Sequence, residues 1–190
     1  MKLYFIHIPK TGGTFIQKEY CNKNNIIKHT GEHPSCLSKE FIEKNCNYKW
    51  DTYLLNSDLF LSCPIKFTVI RNPFDLLKSY FLSRWGDWDE GMKIKLPNKN
   101  FKDLIIDYCE PSSEWHLPLM KKFLYNQIFD DNGICHCDYA IIYDNLNQGL
   151  DELFKKTNNN YKSSKKKLNC SNPKNYKEYY DDEMVNMVNK

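Results

Sequence analysis

Residues Lys10-Thr11-Gly12-Gly13-Thr14 put one amine, two hydroxyls and two glycines into five consecutive positions. Glycines let a backbone come close to a ligand, and the first N–H groups of a helix that follows a loop have no carbonyl partner within it. Lys10 adds a full positive charge, and Thr11 and Thr14 add hydroxyl donors. Together they make a cradle for an anion, of the kind presented by phosphate or sulfate esters. The order differs from the G-x-x-x-x-G-K-[ST] phosphate loop, because Lys10 precedes the glycines instead of following them. A bare strand-to-helix turn is the plainer alternative for this segment alone, since glycine-rich turns are common.

A second group changes that balance. Arg71 stands at the end of an apolar run, with Pro73 just after it and Ser79 further along. A guanidinium fork and a hydroxyl are the groups that hold a second phosphate. Two anion sites at one sheet edge suit a nucleotide phosphorylated at both its 5′ and its 3′ positions.

The flanking residues supply the elements needed to position both groups. Leu3–Ile8 reads as a buried strand, Pro9–Thr14 as a loop, and Phe15 to about Cys21 as a helix. Ile65–Ile70 is β-branched and apolar, a second buried strand. Pro73 suits a first helical turn, and Leu76, Leu77, Tyr80 and Phe81 repeat at helical spacing. Between these units, Ile26–Ser35 reads as a short polar stretch carrying His29 and His33, and Ser38–Asn45 as a helix capped by Ser38. Tyr53–Ser62 fits either a short helix or a strand. Gly86–Asn100 is loop-like, and Phe101–Tyr108 and Leu117–Phe129 have helical spacing. Tyr139–Tyr143 is a short strand leading into a helix over Leu146–Lys156. Asn158–Asn172 reads as a basic loop, and Tyr176, Tyr180, Met184 and Val188 are spaced by fours, as in one closing amphipathic helix. Alternating strands and helices predict an α/β fold with a mostly parallel central sheet flanked by helices. With no repeat and no dividing linker, residues 1–190 are expected to form a single domain.

The composition agrees with a small enzyme or binding domain. Apolar residues are 41% and aromatics 15% of 190 residues, enough for a real core. A net charge of +3 is too mild for a nucleic-acid binder, although it allows a local basic pocket. No signal peptide, anchor or membrane span stands out, so a soluble, cytoplasmic protein is expected. Of the eight cysteines, only those in Cys135-His136-Cys137 are close in sequence. A structural zinc site usually shows two such pairs, or a Cys pair with a His pair, and no second pair stands at such spacing. Strand residues, or a disulfide with a distant cysteine, are the plainer readings, and no metal is expected.

Two segments carry a family resemblance. "FIHIPKTGGTFI" resembles the 5′-phosphosulfate loop of sulfotransferases, and "FTVIRNPFDLLKSYF" resembles their 3′-phosphate motif. Within that family, "PIKFTVIRNPFDLLKSYFLSRWGDW" is most similar to the Golgi-type branch containing the carbohydrate 2-O-sulfotransferases. "DYAIIYDNL" is similar to the family's Tyr-Glu-x-Leu, with Asp144 in place of Glu. "NCSNPKNYKEYYDDEMV" resembles its Asn-x-Ser…Tyr-Tyr stretch. Leu76 and Phe81 depart from the Arg and Tyr often found there.

The resemblance implies a P-loop-like sulfotransferase fold. It also implies the co-substrate 3′-phosphoadenosine-5′-phosphosulfate (PAPS), with a carbohydrate hydroxyl as the expected acceptor. Lys10 would then stabilise charge on the bridging and phosphate oxygens. The backbone of Thr11, Gly12, Gly13 and Thr14 would hold the phosphosulfate, and Arg71 and Ser79 the 3′-phosphate. A base must take the acceptor's proton, and histidine suits neutral pH. His33, in "GEHPS", is preferred over His29, both lying where that branch has its catalytic histidine. His7 reads as a packed strand histidine, and His116 as pocket, surface or core. Trp85, Trp88 and Trp115 fit sugar stacking or simple anchoring, and Lys165–Lys167 a nucleotide cap or a solvated run. A phosphoryl-transferring nucleotide kinase and a non-catalytic nucleotide- or glycan-binding module remain as alternatives.

Overall fold

The computed structural model describes residues 1–8, 10–21, 26–28, 61–82, 100–109, 128–129, 132–161 and 175–189. Their contacts group the chain into two compact units: Met1–Gly31, Lys49–Arg71 and Leu124–Cys170 in the first; Glu32–Tyr48, Asn72–Phe123 and Ser171–Lys190 in the second.

The first unit is built on a four-stranded parallel sheet. Its strands are β1 (Leu3–Ile6), β2 (Ile26–Lys28), β3 (Ile65–Ile70) and β4 (Tyr139–Ile142), in the order β2-β1-β3-β4. The coarse α/β expectation holds. All four β1 residues are buried, as a central parallel strand covered on both faces requires. Leu3 and Phe5 face a core shared with Phe67, Val69 and Ile141 from the sheet. Phe15, Ile16 and Tyr20 join it, together with Leu150, Leu153 and Phe154 of the helix after β4. Tyr4 and Ile6 face the other way, onto Cys63, Ile128 and Cys137.

Several boundaries differ from the sequence reading. β1 stops at Ile6, where its last ladder partner is Thr68, so His7 and Ile8 lie past the strand. Helix α1 begins at Gly13, earlier than expected, and runs to Ile16; the chain continues as a π-helical turn over Gln17–Cys21. β4 ends at Ile142, and Tyr143–Asn145 forms a 3₁₀ turn. Ile26 opens a short strand inside the stretch read as polar. Phe129 is not helical but bridges Cys135 in antiparallel fashion. Cys135 and Cys137 are free thiols, and burial pushes Cys137 up to about 11. Among the described residues no group of three His, Cys, Asp or Glu could hold a metal. No described helix is long and apolar enough to cross a membrane.

In the second unit, α2 (Pro73–Leu82) starts at an Asn72 cap whose Oδ1 accepts the N–H groups of Phe74 and Asp75 at 3.0 and 3.4 Å. Pro73 occupies the first helical position, where no intrahelical donor is needed. With α3 (Phe101–Cys109) it encloses Leu77, Tyr80, Phe101, Leu104, Ile105 and Met184. The expected single closing helix is divided. Tyr176–Tyr179 is a 3₁₀ turn, and Tyr180 is extended and donates its hydroxyl to the Phe74 carbonyl at 2.8 Å. A new helix, Asp182–Val188, then begins with the Asp181 carboxylate accepting the Met184 N–H. The expected elements over 38–45, 53–60 and 117–127, and the loops over 86–99 and 162–172, lie outside the described residues.

Candidate functional site

The strand order decides where a ligand would sit. β2 lies on one side of β1 and β3 on the other. Consecutive connections therefore leave β1 and β3 in opposite directions, and open parallel sheets bind ligands beyond the carboxyl ends of the two strands at such a switch. The two segments expected to bind an anion start there: Lys10–Thr14 after β1 and Arg71 directly after β3.

The loop after β1 folds back on itself. Thr11 is fully buried, and its hydroxyl donates to the Ile8 carbonyl at 2.6 Å. That hydroxyl, expected to serve the anion, instead closes the turn. Lys10 has φ 63°, left-handed backbone that is uncommon for a residue with a side chain. Gly12, at φ 85°, supplies the second left-handed position and precedes α1, where the Ile16 N–H closes back to its carbonyl at 3.1 Å. Thr14 is exposed on the first turn.

Close approach explains both glycines. A Cβ on Gly13 would fall 1.8 Å from His7 Nε2. A Cβ on Gly12 would fall 3.0 Å from Leu146 and 3.4 Å from the Tyr143 ring. His7 is therefore a packing partner of the loop as well as a neighbour of Phe5, whose ring centroid is 5.6 Å away.

Arg71 joins the two motifs. Its Nη1 donates to the Lys10 carbonyl at 2.8 Å, and its guanidinium lies 4.3 Å from the centroid of the Tyr143 ring. Lys10 is lowered to about 8, first by burial and then by the Arg71 charge. Two cations held at one strand switch repel each other, and an anion placed between such groups removes that cost.

Ser79 is buried on α2 in the second unit. His29 and His33 lie outside the described residues, as do His116, the candidate tryptophans and Lys165–Lys167. Tyr143 was missed as a site residue; its only sequence signal was its place in "DYAIIYDNL", at the end of a strand. The chain matches no protein-family model, no curated protein and no solved structure.

Proposed function

We propose that this chain is a PAPS-dependent sulfotransferase with a P-loop-like fold, acting on an acceptor hydroxyl carried by a carbohydrate. The observation that supports it most is the Arg71–Lys10 hydrogen bond at the β1/β3 switch, which unites the two sequence motifs in one cationic locus.

Sulfuryl transfer is an in-line displacement whose barrier falls mainly through positioning and charge stabilisation. Lys10, lowered to about 8, is still mostly protonated at neutral pH and is strengthened as a cation by any anion it meets. In the proposal its ammonium offsets the charge growing on the bridging oxygen, while backbone N–H groups of Thr11 to Thr14 hold the phosphosulfate. Arg71 takes the 3′-phosphate. His33, or its neighbour His29, accepts the proton of the acceptor hydroxyl. The mechanism calls on no metal ion.

The test is an acceptor screen with sulfur-labelled PAPS. Label is expected on a hydroxylated glycan, and turnover should fall more than donor affinity in Lys10→Ala. His33→Ala should lose about a hundredfold or more in turnover with donor binding nearly intact, and His29→Ala much less. Donor binding without label transfer to any acceptor would favour a non-catalytic binding module.

A further inference from the structure

We propose that Tyr143 is a positioning residue of this site, its ring both holding the Arg71 guanidinium and seating the Gly12 turn. The idea deepens the reading above, on which its ligand assays rest.

The sheet register brings the groups together. Ile70 of β3 is paired with Ile142 of β4, so the next residue on each strand, Arg71 and Tyr143, stand side by side where the ladder ends. Ile142 is still extended, and the 3₁₀ turn begins at Tyr143 itself, fixing the ring at the carboxyl edge. The guanidinium sits 4.3 Å from the ring centroid, within the range of a cation–π contact. The position of a Gly12 Cβ lies 3.4 and 3.8 Å from Tyr143 Cε2 and Cδ2, so the loop after β1 reaches the same ring.

An arginine has many rotamers, and its donors are useful to an oxyanion only when the fork is held in one plane. Tyr143 supplies that plane, and the Lys10 carbonyl supplies the in-plane partner at 2.8 Å. The end of β4 is thus a third wall of the site, beside the ends of β1 and β3. Both contacts use the ring and not the hydroxyl.

Affinity for adenosine 3′,5′-bisphosphate, measured by calorimetry, tests this in Tyr143→Leu, Tyr143→Phe and each combined with Arg71→Ala. Tyr143→Leu should weaken binding by about 3- to 30-fold, the range of a partly desolvated cation–π contact. Tyr143→Phe should restore it to within about twofold, and in the Arg71→Ala background Tyr143→Leu should add almost nothing. A second readout needs no ligand. The Arg71 Nε–Hε resonance should be shifted upfield by the ring in the wild type and in Tyr143→Phe, and released in Tyr143→Leu. If the wild type fails to bind the bisphosphate, the sulfotransferase reading falls while the resonance still decides the role of Tyr143. An Arg71 resonance identical in all three proteins, a Phe variant as weak as the Leu variant, or an undiminished Leu effect without Arg71 would overturn the proposal.

Discussion

Arg71 donates from Nη1 to the carbonyl oxygen of Lys10 across 2.8 Å, tying the residue that follows β3 to the loop that follows β1. The carbonyl it holds belongs to a residue in left-handed backbone, φ 63°. Such a conformation persists only where its surroundings fix it. Arg71 therefore has a structural hold on the loop after β1 in addition to its charge.

The first prediction follows from that double role. Arg71→Ala should weaken adenosine 3′,5′-bisphosphate by about 10- to 100-fold, the scale of charge-assisted hydrogen bonds. It should also weaken adenosine 5′-monophosphate, because the Lys10 loop loses its anchor. Arg71→Lys should rescue little, since an ammonium lacks the planar fork. A variant that lost the bisphosphate and kept full affinity for the monophosphate would confine Arg71 to the 3′-phosphate alone.

Lys10 predicts the pH dependence. Its folded value of about 8 lies below the ordinary 10.5, so the unfolded chain binds more protons between those limits. Stability contributed by this residue is therefore lowest below pH 8 and rises from pH 8 to about 10.5. Lys10→Met keeps the stem and drops the charge. It should melt higher than wild type at pH 7, with the gap closing towards pH 10, and its modestly weaker affinity for the bisphosphate should stay level across that range. Wild-type anion affinity should begin to fall at a pH well below 10.5, since burial and Arg71 already disfavour the charged amine. An equal melting gap at both pH values would mean that the charge of Lys10 is not the source.

The contact between Gly13 and His7 predicts a rescue. Gly13→Ala places a methyl group 1.8 Å from the imidazole and should destabilise the protein by about 1–3 kcal/mol, as overpacking does. His7→Ala opens the space, so the double variant should recover most of that loss in urea unfolding. Strictly additive losses would show that the two residues do not meet.

Several elements of the fold could be read from local sequence. The apolar runs of β1 and β3, Asn72-Pro73 at the head of α2, and Leu150, Leu153 and Phe154 on one helix face all announce themselves through periodicity and capping. β2 was hidden because it has only three residues, and its partner strand is what defines it. The closing helix was overextended because Tyr176, Tyr180 and Met184 keep a spacing of four across an Asp181 cap that restarts the helix. The Tyr143 contact depends on β3 and β4 being neighbours in register, and the Arg71–Lys10 bond on β1 and β3 being neighbours; no local pattern carries that information. The Thr11 hydroxyl read as a ligand donor because sequence does not reveal that the turn would claim it first.

In the proposed function, the loop after β1 and Arg71 form one site for a doubly phosphorylated nucleotide. Thermal unfolding with adenosine 3′,5′-bisphosphate, adenosine 5′-monophosphate and ATP with magnesium tests it most directly, because a ligand that binds only the folded state raises the melting temperature according to its affinity. The bisphosphate should raise it far more than either other nucleotide, and that advantage should vanish in Arg71→Ala. Equal or greater stabilisation by ATP with magnesium would contradict the account and point to phosphoryl transfer.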